Sequence, residues 1–227
     1  MATFSNPTFT SDYQGLCNKV ADVLNRQDLL TAIPDFTVLA TSRIQRDMAR
    51  IKHPFAVIRA LAPVVQNYVP LPADFVSVYQ LLETDTTAQL EYVSPDQSKE
   101  VMSRGWDNTA VRPSATATAR NPTYYTLLGT RIRIFPPPGS ETPLELDLWY
   151  YARIPALRTQ TPTNWVLTRY PDLYLYGTLV HSAPYLKADE RIQVWEGAYQ
   201  SILDDIAVEA ERAVRPQTKL VAARKSF

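Results

Sequence analysis

Cysteine is nearly absent: Cys17 stands alone in 227 residues. One thiol closes no internal disulfide and builds no cysteine-rich metal site, and it suits folding in a reducing cytoplasm. We read it as a small core residue. Histidine is as scarce, with His53 and His181 only, too few for a metal centre or a nucleophile with its base. His181 falls on an apolar helix and is read as a hydrogen-bonded core residue rather than a base. The six glycines, at 15, 105, 129, 139, 177 and 197, never cluster, which excludes a phosphate-cradling loop or a dinucleotide fingerprint. No catalytic residue, metal or cofactor is expected. Net charge is lacking too: 23 basic and 23 acidic side chains cancel, so no overall field draws nucleic acid or an acidic membrane. No apolar run approaches the roughly 20 residues that span a bilayer. The start MATFSNPTFTSD has neither the basic flank nor the apolar stretch of a secretory signal, so a soluble chain without a membrane partner is expected.

What the chain has instead is proline, eighteen residues against those six glycines, a ratio that predicts long, ordered and rather rigid connections. At 45% apolar and 20% charged it has the composition of a soluble globular protein, long enough to bury a real core in one domain with an insertion.

Helical periodicity occupies both ends. Ser11 is placed to cap a helix in which Tyr13, Leu16, Val20, Val23 and Leu24 recur at helical spacing. A second helix opens at Pro34 and Asp35, buries Phe36, Ala40, Ile44, Met48 and Ile51 opposite Arg43, Arg46 and Arg50, and ends before Pro54. A third opens at Pro171; Leu173, Tyr174, Leu175, Tyr176, Leu179, Val180 and Ala183 leave it no wholly polar face, so other elements must enclose it until Pro184 kinks or ends it. The last starts at Asp189, buries Ile192, Trp195, Tyr199, Ile202, Ile206, Ala210 and Ala213, turns Arg191, Glu196, Asp204, Asp205, Glu209 and Glu211 to water, and stops at Pro216.

Between these ends the period changes. Leu144, Leu146, Leu148 and Tyr150 alternate with Glu145, Asp147, Trp149 and Tyr151, the pattern of a sheet with one buried face. Ile132 and Ile134 alternate with Arg131 and Arg133 in the strand before, and the proline-rich loop IFPPPGSETP stops pairing between the two. The Ser/Thr/Ala run 114–119 is expected as an exposed loop. The fold class is therefore α+β: a helical core or bundle from the N- and C-terminal segments, 1–54 and 158–215, an inserted antiparallel β-rich region, 55–157, and an extended C-terminal arm, 216–227.

Two features bear on function. The end of the chain carries Arg212, Arg215, Lys219, Arg224 and Lys225 with no acid among them, interleaved with Leu220, Val221 and Phe227. It is either a solvated tail or an arm that orders on an acidic partner or on DNA, its apolar residues filling pockets. Tyr174, Tyr176 and Trp195 have the large area and polar edge of interface residues, and equally the helical spacing of core residues. Carboxylate pairs with Trp106, Trp149 and Trp165 stacked on sugars would make an alternative, a carbohydrate-binding or carbohydrate-active component.

The ordered set VPLPADFVSVYQL, LEYVSP, NPTYYTLLGTRIRIFPPP, LDLWYYARIPAL and NWVLTRYPDLYLYGTLVHSAPYLKADERIQVWEGAYQ resembles the head-to-tail connector (adaptor) proteins of bacteriophages, especially short-tailed ones. The resemblance spans about Val69 to Gln200. It implies a non-enzymatic structural virion protein made in the host cytoplasm and placed in the neck. Such a protein forms a homo-oligomeric, dodecameric ring that docks on the portal protein, extends the channel through which packaged DNA passes, and offers a face to tail, nozzle or fibre proteins. It also implies that the arm, Arg212 to Phe227, docks on the portal.

Overall fold

The computed structural model describes residues 12–84, 87–99, 122–135, 137, 144–186 and 189–214. The fold is α+β, and the chain divides into two compact units, Met1–Phe55 with Ile154–Phe227, and Ala56–Arg153. Each has its own hydrophobic core.

In the helical unit, α1 is Tyr13–Leu24, α2 Ile33–Ile51, α3 Trp165–Arg169, α4 Pro171–Leu186 and α5 Asp189–Val214. The cap of α1 is Asp12, one residue later than expected: its carboxylate accepts the Gly15 N–H at 2.7 Å, satisfying a first-turn donor that helix geometry leaves free. Asn25 and Lys52 close α1 and α2 in the left-handed conformation. α2 buries Phe36, Ala40, Ile44 and Met48 as its stripe requires, adding Ile33 and Thr37. In α1 the buried set is Leu16, Cys17, Val20, Ala21 and Leu24, and Val23, expected inside, is exposed. Helix α3 and its cap Asn164 were not foreseen.

α4 is the axis of this unit. It packs against α2, α5, α1 and α3, as a helix without a polar side must if it is to leave water. Pro184 does not end it: the proline sits inside the last turn and the helix runs on to Leu186. At its middle, Gly177 faces the Tyr199 ring of α5 and Ala40 of α2; a Cβ there would lie 3.3 Å from Tyr199 Cε2 and 3.5 Å from the Ala40 methyl. The missing side chain therefore sets how closely three helices approach. Gly197 on α5 is the opposite case, exposed, with nothing within 4 Å of an added Cβ.

Among the described residues the other unit holds seven strands: β1 Val57–Pro63, β2 Tyr68–Pro70, β3 Phe75–Glu83, β4 Glu91–Tyr92, β5 Tyr124–Leu128, β6 Arg131–Phe135 and β7 Glu145–Ala152. They form one three-stranded sheet, β1-β7-β3, and one four-stranded sheet, β2-β6-β5-β4. β6 and β7, consecutive in sequence, lie in different sheets, consistent with a proline-rich connection that cannot donate to a ladder. Gly129 turns the β5–β6 hairpin at a φ of 59°, a conformation that costs glycine nothing. Pairing is antiparallel except between β4 and β5, which run parallel. The expectation of a purely antiparallel region is corrected there; the connection between these strands exceeds the dozen or so residues that a parallel crossover needs.

Leu146, Leu148 and Tyr150 of β7 are buried with Ile132 and Ile134 of β6. Asp147, expected to face water, is 7% exposed. Arg59 of β1 covers it, Nε donating to both carboxylate oxygens at 2.8 and 2.9 Å, and this pairing holds the Asp147 carboxyl below the usual carboxylate range. The loop 114–119 lies outside the described residues.

The two glycines separate packing from propensity. Gly177→Leu overfills a three-helix crossing and should lower stability by about 3 kcal/mol, whereas Gly197→Ala should raise it by about 1 kcal/mol. Urea unfolding of the full chain reads both.

Candidate functional site

The aromatic residues singled out in the sequence come together around α4. Tyr174 is wholly buried in the helical unit, its hydroxyl accepting from Asn164 Nδ2 at 2.8 Å. Burial raises its phenol above the ordinary value. Trp195 is buried in the same core and Tyr176 is partly buried against it. Two of the three thus fill the subunit's own interior, and Tyr176 keeps an accessible edge.

Asn164 makes Tyr174 a structural joint. Its Oδ1 caps α3 by accepting the Leu167 N–H at 2.8 Å, and its Nδ2 also donates to the Pro155 carbonyl at 2.9 Å. One buried side chain ties the chain entering this unit, a short helix and the central helix. Asparagine ahead of an apolar run is an N-cap signature, so this signal was available in NWVLTR.

Two further networks escaped the sequence reading. Arg43, expected on the water face of α2, pairs end-on with Glu196 of α5, Nη1 donating to Oε2 at 2.8 Å and Nη2 to Oε1. Its guanidinium lies 4.2 Å from the centre of the Tyr199 ring. The Tyr199 hydroxyl donates to Asp47 at 2.8 Å, and burial with that carboxylate pushes its pKa strongly upward. Arg43 and Glu196 sit at helix flanks, where long side chains reach sideways, and periodicity does not report such pairing. The second network centres on His53, 1% exposed. Its Nδ1 accepts the Phe55 N–H at 3.2 Å and its Nε2 lies 3.1 Å from the Tyr170 hydroxyl, which donates to Glu209 at 2.8 Å. Arg169 bonds both Tyr170 and Glu209. The imidazole, Phe55 and Trp165 form a cluster of three stacked rings, His53 lying 5.5 and 5.2 Å from the other two and those two 6.4 Å apart, so this tryptophan has a partner within the subunit. Glu209, expected to face water, is spent here.

His181 departs from expectation. It lies on α4 as foreseen, but its Nε2 is buried without a hydrogen-bond partner among the described residues. Burial first, then Arg43 and Arg46, lower its pKa, against the pull of Glu196.

Of the basic–apolar end, Arg212 stands exposed in the last turn of α5. Arg215, Lys219, Leu220, Val221, Arg224, Lys225 and Phe227 lie outside the described residues, as does Trp106. Among the described residues no cluster of three or more His, Cys, Asp or Glu could hold a metal, and no helix is long and apolar enough to cross a membrane.

The ion pairs and hydrogen bonds described above hold elements of each unit to one another. The family model for the SU10 adaptor protein matches residues 11–220, and the chain belongs to that family of structural head-to-tail adaptors of bacteriophages. No curated protein matches the chain.

Both histidines bear on pH dependence. Burial holds His53 and His181 below their ordinary value of 6.5, so the native state binds fewer protons than the unfolded chain. Their contribution is complete above that value and is lost as pH falls through the lower folded-state values. Urea midpoints should fall between about pH 6.5 and 5, a window above ordinary carboxylate titration, and the double variant His53→Asn, His181→Gln should flatten the slope. An unchanged slope would show that neither imidazole is linked to folding.

Proposed function

We propose that this adaptor forms a homo-oligomeric ring in the virion neck, docks on the portal protein, extends the DNA channel and offers an attachment face to tail components. Family membership over residues 11–220 carries the reading. The three-part organisation belongs to it: a helical core, 1–54 and 158–215; an inserted β-rich region, 55–157; and a terminal arm, 216–227. A ring subunit must hold its shape while neighbours press on two sides, and a central helix enclosed by four others gives it that stiffness.

In this reading the arm docks on the portal, Leu220, Val221 and Phe227 entering apolar pockets while Arg212, Arg215, Lys219, Arg224 and Lys225 meet an acidic surface. Of Tyr174, Tyr176 and Trp195, Tyr176 alone is not fully buried and is the one left to meet another subunit.

Among the described residues both cores are built from positions before 217, so the chain lacking 217–227 should keep its circular dichroism spectrum and melting temperature but lose portal binding. Unaltered affinity for purified portal would contradict the role given to the arm.

A further inference from the structure

α2 and α5 each turn one face towards α4 and leave the other bare. On α2 the bare face runs through Val38, 59% exposed, Leu39, 52% exposed, Ser42 and Arg46. On α5 it runs through Val194, 70% exposed, Gly197, Ser201, Asp204 and Asp205. Gly197 weakens a long helix relative to alanine, and among the described residues nothing lies within 4 Å of a Cβ added there. Arg46 makes no ion pair among the described residues, nor do Asp204 and Asp205. The two faces are complementary: apolar residues with a free cation on one, an apolar residue and a small hollow with free carboxylates on the other. The spacing matches as well. One heptad separates Leu39 from Arg46 and Gly197 from Asp204, roughly 10 Å along either helix.

We propose that the α2 face of one copy of this chain packs, parallel, on the α5 face of the next. Leu39 sits over Gly197 beside Val194, and Arg46 reaches Asp204 and Asp205. Because the two faces differ, the contact is heterologous and passes from copy to copy, the kind of interface that closes into a ring when its rotation allows. The inference rests on the ring reading above and names the surface that would build it.

Cys17 is the only thiol and is buried, so the wild-type chain is a clean background for cross-linking. The full-length variant Leu39→Cys, Gly197→Cys, assembled on purified portal of the same virus and mildly oxidised, should give a ladder of dimers, trimers and larger species. Neither single variant should link. Arg46→Asp in that background should cut linkage about tenfold, and adding Asp204→Arg and Asp205→Arg should restore it. As a second readout, Gly197→Glu should fold normally yet leave fewer subunits on the portal by native mass spectrometry. Dimers from a single variant, or co-assembly with portal without a ladder, would overturn this interface alone. Full occupancy with Gly197→Glu would do the same. Failure of the wild-type chain to assemble on portal would overturn the ring reading with it.

Discussion

The close approach of the Tyr199 ring to Gly177 is the constraint on which the helical unit depends. α4 has apolar side chains around nearly its whole circumference, so it is stable only where every side is covered, and coverage at close-packed density requires its neighbours to come near. Gly177 admits the Tyr199 ring on one side and Ala40 on the other. Once that crossing forms, the Tyr199 hydroxyl reaches Asp47 and its ring carries the Arg43 guanidinium that binds Glu196. A packing decision at one small residue thus places an ion pair, a hydrogen bond and a cation–π contact, all joining α2 to α5.

The same economy appears where the chain enters and leaves this unit. Asn164 caps α3, holds the Pro155 carbonyl and meets the buried Tyr174 hydroxyl, while His53 stacks on Phe55 and Trp165 and is bonded to Phe55 and Tyr170. In the β unit, Arg59 covering Asp147 does for the central strand what Arg43 does for α2. The polar groups that are buried have been given partners. The exceptions include Nε2 of His181, whose neutral form Arg43 and Arg46 favour.

Much of this architecture was legible because periodicity reports faces. Phe36, Ala40, Ile44 and Met48 step around one side of α2, and all four are buried; the absence of a polar side on α4 announced its enclosure. Partners were less legible, since a stripe says which way a side chain points but not what waits there. Arg43, Glu196, Glu209 and Asp147 were assigned to water for that reason, and each proved to be half of an ion pair. The parallel pairing of β4 with β5 was hidden because pairing partners far apart in sequence leave no local trace. Tyr174 and Trp195 could have served a core or an interface on sequence grounds, because both environments ask for large aromatic area with a polar edge; the completed subunit buries them.

Membership in the SU10 adaptor family gives this construction its purpose: a structural part of a bacteriophage's head-to-tail junction. The proposed ring, arm and lateral contact extend that role to surfaces the subunit does not itself cover. Electron microscopy of the full chain mixed with purified portal tests the central claim most directly. A closed collar of this chain should sit coaxially on the portal with its channel open; portal particles that carry no added collar, at concentrations where the chain is folded, would contradict the ring.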